Sequence, residues 1–191
     1  LIFYTHARKA GVKAIMGCDL IIENESDREK PYRMAVLCQN HDGYKNLCEI
    51  QTHAWLKNQY MGRGETKLQW LFDHNEGLII LSGGPEGEIA QLCLAGKKAE
   101  ALALAKKMKA TFGDRFYLEL QRAGRASDEA VVRYHLSIAA ECDIPVVATH
   151  PIQFLEPEDF DAHDIRVCIA RGEVLADKGR AKLYSREQYF K

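Results

Sequence analysis

The stretch Pro145 to Arg171, PVVATHPIQFLEPEDFDAHDIRVCIAR, decides the fold, because it joins a short apolar strand to an acid- and histidine-containing helix. Pro145, Val146, Val147 and Ala148 run without polar alternation, as expected of a strand covered on both faces by helices. In an α/β barrel the residues just past such a strand, here Thr149 to Gln153, line the active face. That topology puts His150 at the C-terminal end of a strand and makes it the leading titratable candidate.

Outward from this stretch, the hydrophobic periodicity predicts helix to Ala10, strands over 13–22 and 32–38, and helix over 42–58. A short helix follows over 67–73, then strand 77–81, helices 86–94 and 97–110, strand 115–121, helix 127–141, strand 145–149 and helix 158–171. Repeated strand and helix units argue for an α/β fold with a parallel sheet and right-handed crossovers. The segment Glu23 to Lys30, ENESDREK, reads as a solvated loop, and Gln59 to Thr66, with Gly62 and Gly64, as a mobile one. Leu47, Ile50 and Ala54, with Trp55 beside them, fall at helical spacing and make the 42–58 segment an ordinary half-buried helix. GKKAEALALAKKM at 96–108 has no second copy at a fixed period, so a helical repeat is excluded. No domain boundary interrupts residues 1–191, which are expected to form one domain. The opening LIFYTHARKAG enters a helical apolar pattern directly and closes with Gly11, without an N-cap or initiator Met, so the chain is expected to be incomplete at both ends.

A chain of 191 residues buries roughly 70% of its unfolded surface and needs no metal to hold a core. Its net charge of −1 and pI near 6.7 provide no broad basic field of the kind that drives non-specific DNA binding. DNA contact, if present, is therefore local. The six cysteines, Cys18, Cys38, Cys48, Cys93, Cys142 and Cys168, include no CxxC pair and read as reduced residues in apolar patterns. No run approaches the roughly 18 apolar residues of a membrane span, and no signal peptide opens the chain.

Several motifs have both a chemical and a structural interpretation. Ser82-Gly83-Gly84-Pro85 after the strand GLIIL could hold a phosphate on the next helix N-terminus, but it lacks P-loop spacing and is first of all a turn. Asp161-Ala162-His163 looks like a chelating pair, yet residues two apart on a helix diverge by about 200°. Glu156, Glu158, Asp159 and Asp161 instead complement the positive helix end. Ser82, Ser137 and Ser185 lack the GxSxG turn, and no cysteine carries signs of activation. Arg122, Arg125 and Arg133, with Lys178, Arg180 and Lys182, suggest a basic patch, although such groups are more often a solvated face.

Blocks along the chain carry a resemblance: GVKAIMGCDL at 11–20, YRMAVLCQNHDGYKNL at 32–47, EGLIILSGG at 76–84, DRFYLELQRAGR at 114–125, the stretch from 145, and YSREQYF at 184–190. In this order they resemble the PHP (polymerase and histidinol phosphatase) domain of bacterial replicative DNA polymerases, the alpha subunits of DNA polymerase III, over essentially the whole chain. The resemblance implies a distorted parallel α/β barrel of PHP type. In the family the first helix follows strands that carry a His-x-His pair and another His, so the barrel expected from residues 1–191 is incomplete at the N-terminus.

In metal-binding members the strand beginning PVVAT ends in an Asp-x-His pair; here those positions are Pro151 and Gln153, neither an effective ligand. The family's Glu after the early strand glycine corresponds to Asp19, its His opening the next strand to Arg33, and its His after the FYLEL strand to Ala123. Of these Asp19 alone keeps a coordinating group, and a guanidinium at Arg33 repels a cation. The resemblance thus implies a degenerate metal site with Asp19 and His150 as residual candidates. Two groups fall short of the usual three protein ligands, which favours a hydrogen-bonded structural His150.

By the same resemblance the chain is the N-terminal PHP region of a cytoplasmic bacterial nucleotidyltransferase of DNA replication. Its chemistry would use a carboxylate-held pair of Mg²⁺ ions in a palm domain outside these residues. No catalytic residue and no cofactor are then expected in residues 1–191. The implied role is a scaffold for the polymerase core and a docking surface for a proofreading exonuclease subunit. The implied partners are that subunit, the rest of the polymerase alpha chain, and DNA through the parent protein, with no membrane. The alternative is an active metal-dependent phosphoesterase or nuclease of the same superfamily.

Overall fold

The computed structural model describes residues 2–177, 179–180 and 182–191. Helix α1 (Ile2–Lys9) precedes β1 (Gly17–Ile22) and β2 (Tyr32–Cys38). Next come α2 (His41–Lys57), a minimal hairpin of β3 (Gln59–Tyr60) and β4 (Arg63–Gly64), and α3 (Leu68–Asp73). β5 (Leu78–Leu81) leads to α4 (Glu88–Leu94) and α5 (Lys98–Phe112), and β6 (Phe116–Leu120) to α6 (Asp128–Cys142). β7 (Val146–Ala148) and α7 (Phe160–Arg171) complete the order.

The main sheet has the order β1-β2-β5-β6-β7. β5, β6 and β7 are mutually parallel, as expected, but β2 is antiparallel to both β1 and β5. The all-parallel expectation fails at β2 for a reason present in the chain: the link from Glu23 to Pro31 is too short for the crossover of about a dozen residues that parallel neighbours need. Among the described residues no ladder joins β7 to β1, so the sheet is open and the expected barrel closure is not formed.

Alternate strand residues supply the core. Leu20, Ile22, Met34, Val36, Leu78, Ile80, Phe116 and Leu118 are buried against Ile50 of α2, Leu71 of α3, Met108 of α5 and Ile138 of α6. Because successive strand side chains point to opposite faces, Asp19 and Arg33 turn away from this core. The same logic corrects the expectation for Pro145 to Ala148. Among the described residues β7 pairs only with β6, and Val146 is 41% exposed, so this strand is an edge and is not covered on both faces.

The segment Gln59 to Thr66 contains the hairpin rather than a plain loop, and a buried carboxylate anchors it. Glu65 is 0% exposed; Arg28 donates to its Oε2 through Nε (2.9 Å) and Nη2 (2.8 Å), and Arg63 Nε donates to Oε1 at 2.8 Å. The Tyr60 ring lies 4.4 Å from the Arg28 guanidinium and 5.4 Å from that of Arg63. Thr66 N–H donates to Ile21 O at 2.7 Å and ties the hairpin to β1. Arg28 thus fastens part of the Glu23 to Lys30 loop instead of leaving it wholly to solvent. The six cysteines are free, Cys93 and Cys168 buried but Cys48 exposed. No helix among the described residues is long and apolar enough to cross a membrane.

Candidate functional site at the strand ends

The face of the sheet away from the core opens into a cleft of about 450 Å³. Asp19, Arg33, His150, Pro151 and Gln153 all line it, so the topology brings together residues far apart in the chain. Register explains the convergence on its β1–β2 side, where Asp19 pairs with Ala35 and Arg33 lies two residues along β2. Ala123 does not reach the lining; it is 0% exposed, its N–H donates to Asp128 Oδ2 at 2.6 Å, and its carbonyl accepts from Ser185 Oγ.

Arg33 Nε stands 3.0 Å from Glu86 Oε2, so the guanidinium is committed to a carboxylate from the turn after β5. His150 Nε2 is shut off from solvent and has no hydrogen-bond partner. Among the described residues no three His, Cys, Asp or Glu side chains are grouped as a metal site requires. At these strand ends the cleft presents a guanidinium paired with Glu86, a proline and an amide together with Asp19 and His150.

A residue that sequence reasoning missed organises the cleft. Glu119 of β6 is 5% exposed and accepts from Gly83 N–H at 2.5 Å through Oε2 and from Thr149 Oγ1 at 2.8 Å through Oε1. Gln121 Nε2 donates to Thr149 Oγ1 (2.9 Å), Arg125 Nη2 donates to Gln121 Oε1 (2.6 Å), and Arg125 Nε donates to Asp128 Oδ1 (2.8 Å). One polar chain therefore runs from α6 to the Ser82–Pro85 turn. The structure resolves the phosphate question at that turn. Gly83 adopts φ +84°, a Cβ there would lie 1.9 Å from Arg33 O, and its N–H is already taken by Glu119. The available sequence signal was a lone acid inside the apolar FYLEL strand.

Behind this network His135 of α6 is 0% exposed, with Nδ1 2.8 Å from the Glu119 carbonyl oxygen. Burial pushes its imidazole below the ordinary histidine range, opposed by that hydrogen bond. The far wall of the cleft comes from the C-terminal segment. Gln153 N–H donates to Gln188 O at 2.8 Å and Gln188 Nε2 donates to Pro151 O at 3.3 Å, which holds the strand-end loop in place.

The other motifs resolve structurally. Asp161 is exposed and pairs with Arg186 at 2.7 Å, whereas His163 is buried against Phe154 and Tyr184. The two diverge, as helix geometry requires. Within the suggested basic cluster three members are paired with carboxylates: Arg122 with Glu129 at 2.7 Å, Arg125 with Asp128 at 2.8 Å and Arg180 with Asp164 at 2.5 Å. Lys178 lies outside the described residues.

The mixed sheet, its flanking helices and the strand-end cleft are those of a chain that belongs to the PHP domain family, whose model matches residues 1–123. More particularly, the chain is 41% identical over 189 residues to DNA polymerase III subunit alpha of Pseudomonas fluorescens, an alignment covering 99% of this chain and 16% of that protein. It is 42% identical over 191 residues to the same subunit of Neisseria meningitidis serogroup A, covering 98% and 17% respectively. With that of Escherichia coli K12 it shares 34% over 189 residues, covering 99% and 16%. The chain therefore spans about a sixth of the length of these relatives.

Proposed function

We propose that this chain is the N-terminal PHP region of a replicative DNA polymerase alpha subunit, acting in the cytoplasm as a scaffold for the polymerase core and as a docking surface for a proofreading exonuclease subunit. Its metal site is degenerate, and nucleotide addition belongs to a Mg²⁺-dependent palm domain elsewhere in the parent chain. The observation that carries this reading is the lining of the strand-end cleft, where Arg33, Pro151 and Gln153 stand with Asp19 and His150 and offer a cation no further effective ligand. The resemblance to alpha subunits along 99% of the chain supports the polymerase context. The competing reading is an active metal-dependent phosphoesterase or nuclease.

The test uses the full polymerase chain, exposed in turn to Zn²⁺, Mn²⁺ and Mg²⁺, desalted, and measured by elemental analysis. The PHP region is expected to retain no stoichiometric Zn²⁺ or Mn²⁺, and the chain to co-elute with the exonuclease subunit in gel filtration. Metal that stays bound near one ion per chain, and is released when Asp19 and His150 are both changed to Ala, overturns the degenerate site. Separate elution of the two subunits overturns the docking role.

A further inference from the structure

A second cavity, of about 450 Å³, shares no lining residue with the strand-end cleft and lies between α1, the end of β2 and the start of α2. Its lining includes Tyr4, Met16, Gln39, Asn40, His41 and Tyr44. The His41 and Tyr44 rings are stacked, with centroids 6.3 Å apart and planes 18° apart, and Tyr44 is 43% exposed. An aromatic pair that is partly open to solvent offers a face on which another flat ring can lie.

The charge around this cavity differs from that of the molecule as a whole. The chain carries −1 overall, but residues 1–18 include Arg8, Lys9 and Lys13 and no Asp or Glu. Arg8 is not itself in the lining but stands beside it on Tyr4: its Nη1 donates to Tyr4 Oη at 3.2 Å, and its guanidinium lies 5.8 Å from the Tyr4 ring centroid. Asp42, at the start of α2, is 3.6 Å from Lys45 and adds no unpaired negative charge. Asn40 spends its Oδ1 on the Gly43 N–H at 2.9 Å, so the end of that amide still able to act is the donor. Stacking surface, a positioned guanidinium and amide donors together suit a planar base joined to an anionic backbone.

We propose that this cavity binds a nucleotide unit of a single-stranded nucleic acid, the base stacking on Tyr44 and the phosphate meeting Arg8. The site is separate from the strand-end cleft and does not depend on the proposed polymerase context.

The test is fluorescence anisotropy of a short dye-labelled oligothymidylate with the whole chain, across a salt series of about 50 to 200 mM. Wild-type protein is expected to bind, with affinity falling as salt rises. Tyr44→Ala weakens binding roughly tenfold through the lost stack, and Arg8→Gln reduces the slope of log K against log salt by about 0.7. Should the alanine variant lose its thermal transition, Tyr44→Leu keeps the bulk and removes the stack, with the same expected loss. No binding at the lowest salt, or wild-type affinity and slope in both Tyr44→Leu and Arg8→Gln, overturns the site. Competition by thymidine monophosphate as effective, per nucleotide, as that by unlabelled strand overturns the assignment to a strand and gives the cavity to free nucleotides.

Discussion

Glu119 and His135 meet at one backbone carbonyl, with the carboxylate facing the cleft and the imidazole sealed in the core. Burial holds the folded His135 below the ordinary range, whereas the unfolded chain takes up its proton near pH 6.5. Below about pH 6.5 the unfolded state thus binds more protons than the folded one. The His135 contribution is complete above that pH and is lost as pH falls through 6.5 towards the lower folded value, by at most about 1.4 kcal/mol per pH unit. His163 acts in the same direction, through burial and then Arg166. Urea midpoints are expected to fall between pH 7.5 and 5.5, and His135→Asn to lower the midpoint at neutral pH while flattening that dependence. An unchanged slope in the variant would refute the assignment. At this scale the strand-end position of His150 was readable from the apolar run before it, a local property, whereas Asp19, Arg33, Ala123, Pro151 and Gln153 were grouped by the family resemblance; all of them but Ala123 line the cleft with His150. Glu119 was missed because its partners Gly83 and Thr149 lie far away in the chain.

Among the elements, the β3–β4 hairpin depends on one side chain. Removing the Glu65 carboxylate leaves Arg28 and Arg63 without their shared partner, but both guanidiniums are partly exposed and recover some hydration. Glu65→Ala is therefore expected to cost about 2 kcal/mol, at the low end for a broken buried pair. Chemical denaturation measures the loss, and a cost indistinguishable from zero would mean that the hairpin is held by its backbone alone. Longer elements were readable because amphipathic period and caps agree. β2 falls on its expected span, and α2 begins where Asn40 caps the Gly43 N–H. The hairpin escaped notice because two-residue strands are shorter than any periodic pattern. β1 begins at Gly17 rather than residue 13, since the apolar residues before it remain in an irregular segment.

Across the whole molecule, stability is graded from the middle of the sheet outward. β5 and β6 each have neighbours on both sides, whereas β7 has one. Hydrogen exchange is expected to show β5 and β6 amides opening only with global unfolding and β7 amides opening earlier; equal protection in β6 and β7 would contradict an edge position. The α/β class was legible from alternating periods, but strand direction was not, because a periodic pattern has no polarity. Only the length of the Glu23 to Pro31 link betrays the reversal of β2. The C-terminal segment bears on biosynthesis as well. Ser185 reaches back to Ala123 and Gln188 to Pro151, so the far wall of the strand-end cleft is supplied by residues translated well after its floor at Asp19 and Arg33. During vectorial synthesis the nascent chain therefore presents an unwalled floor, and the cleft first exists as an enclosure when residues 184–188 have left the ribosome.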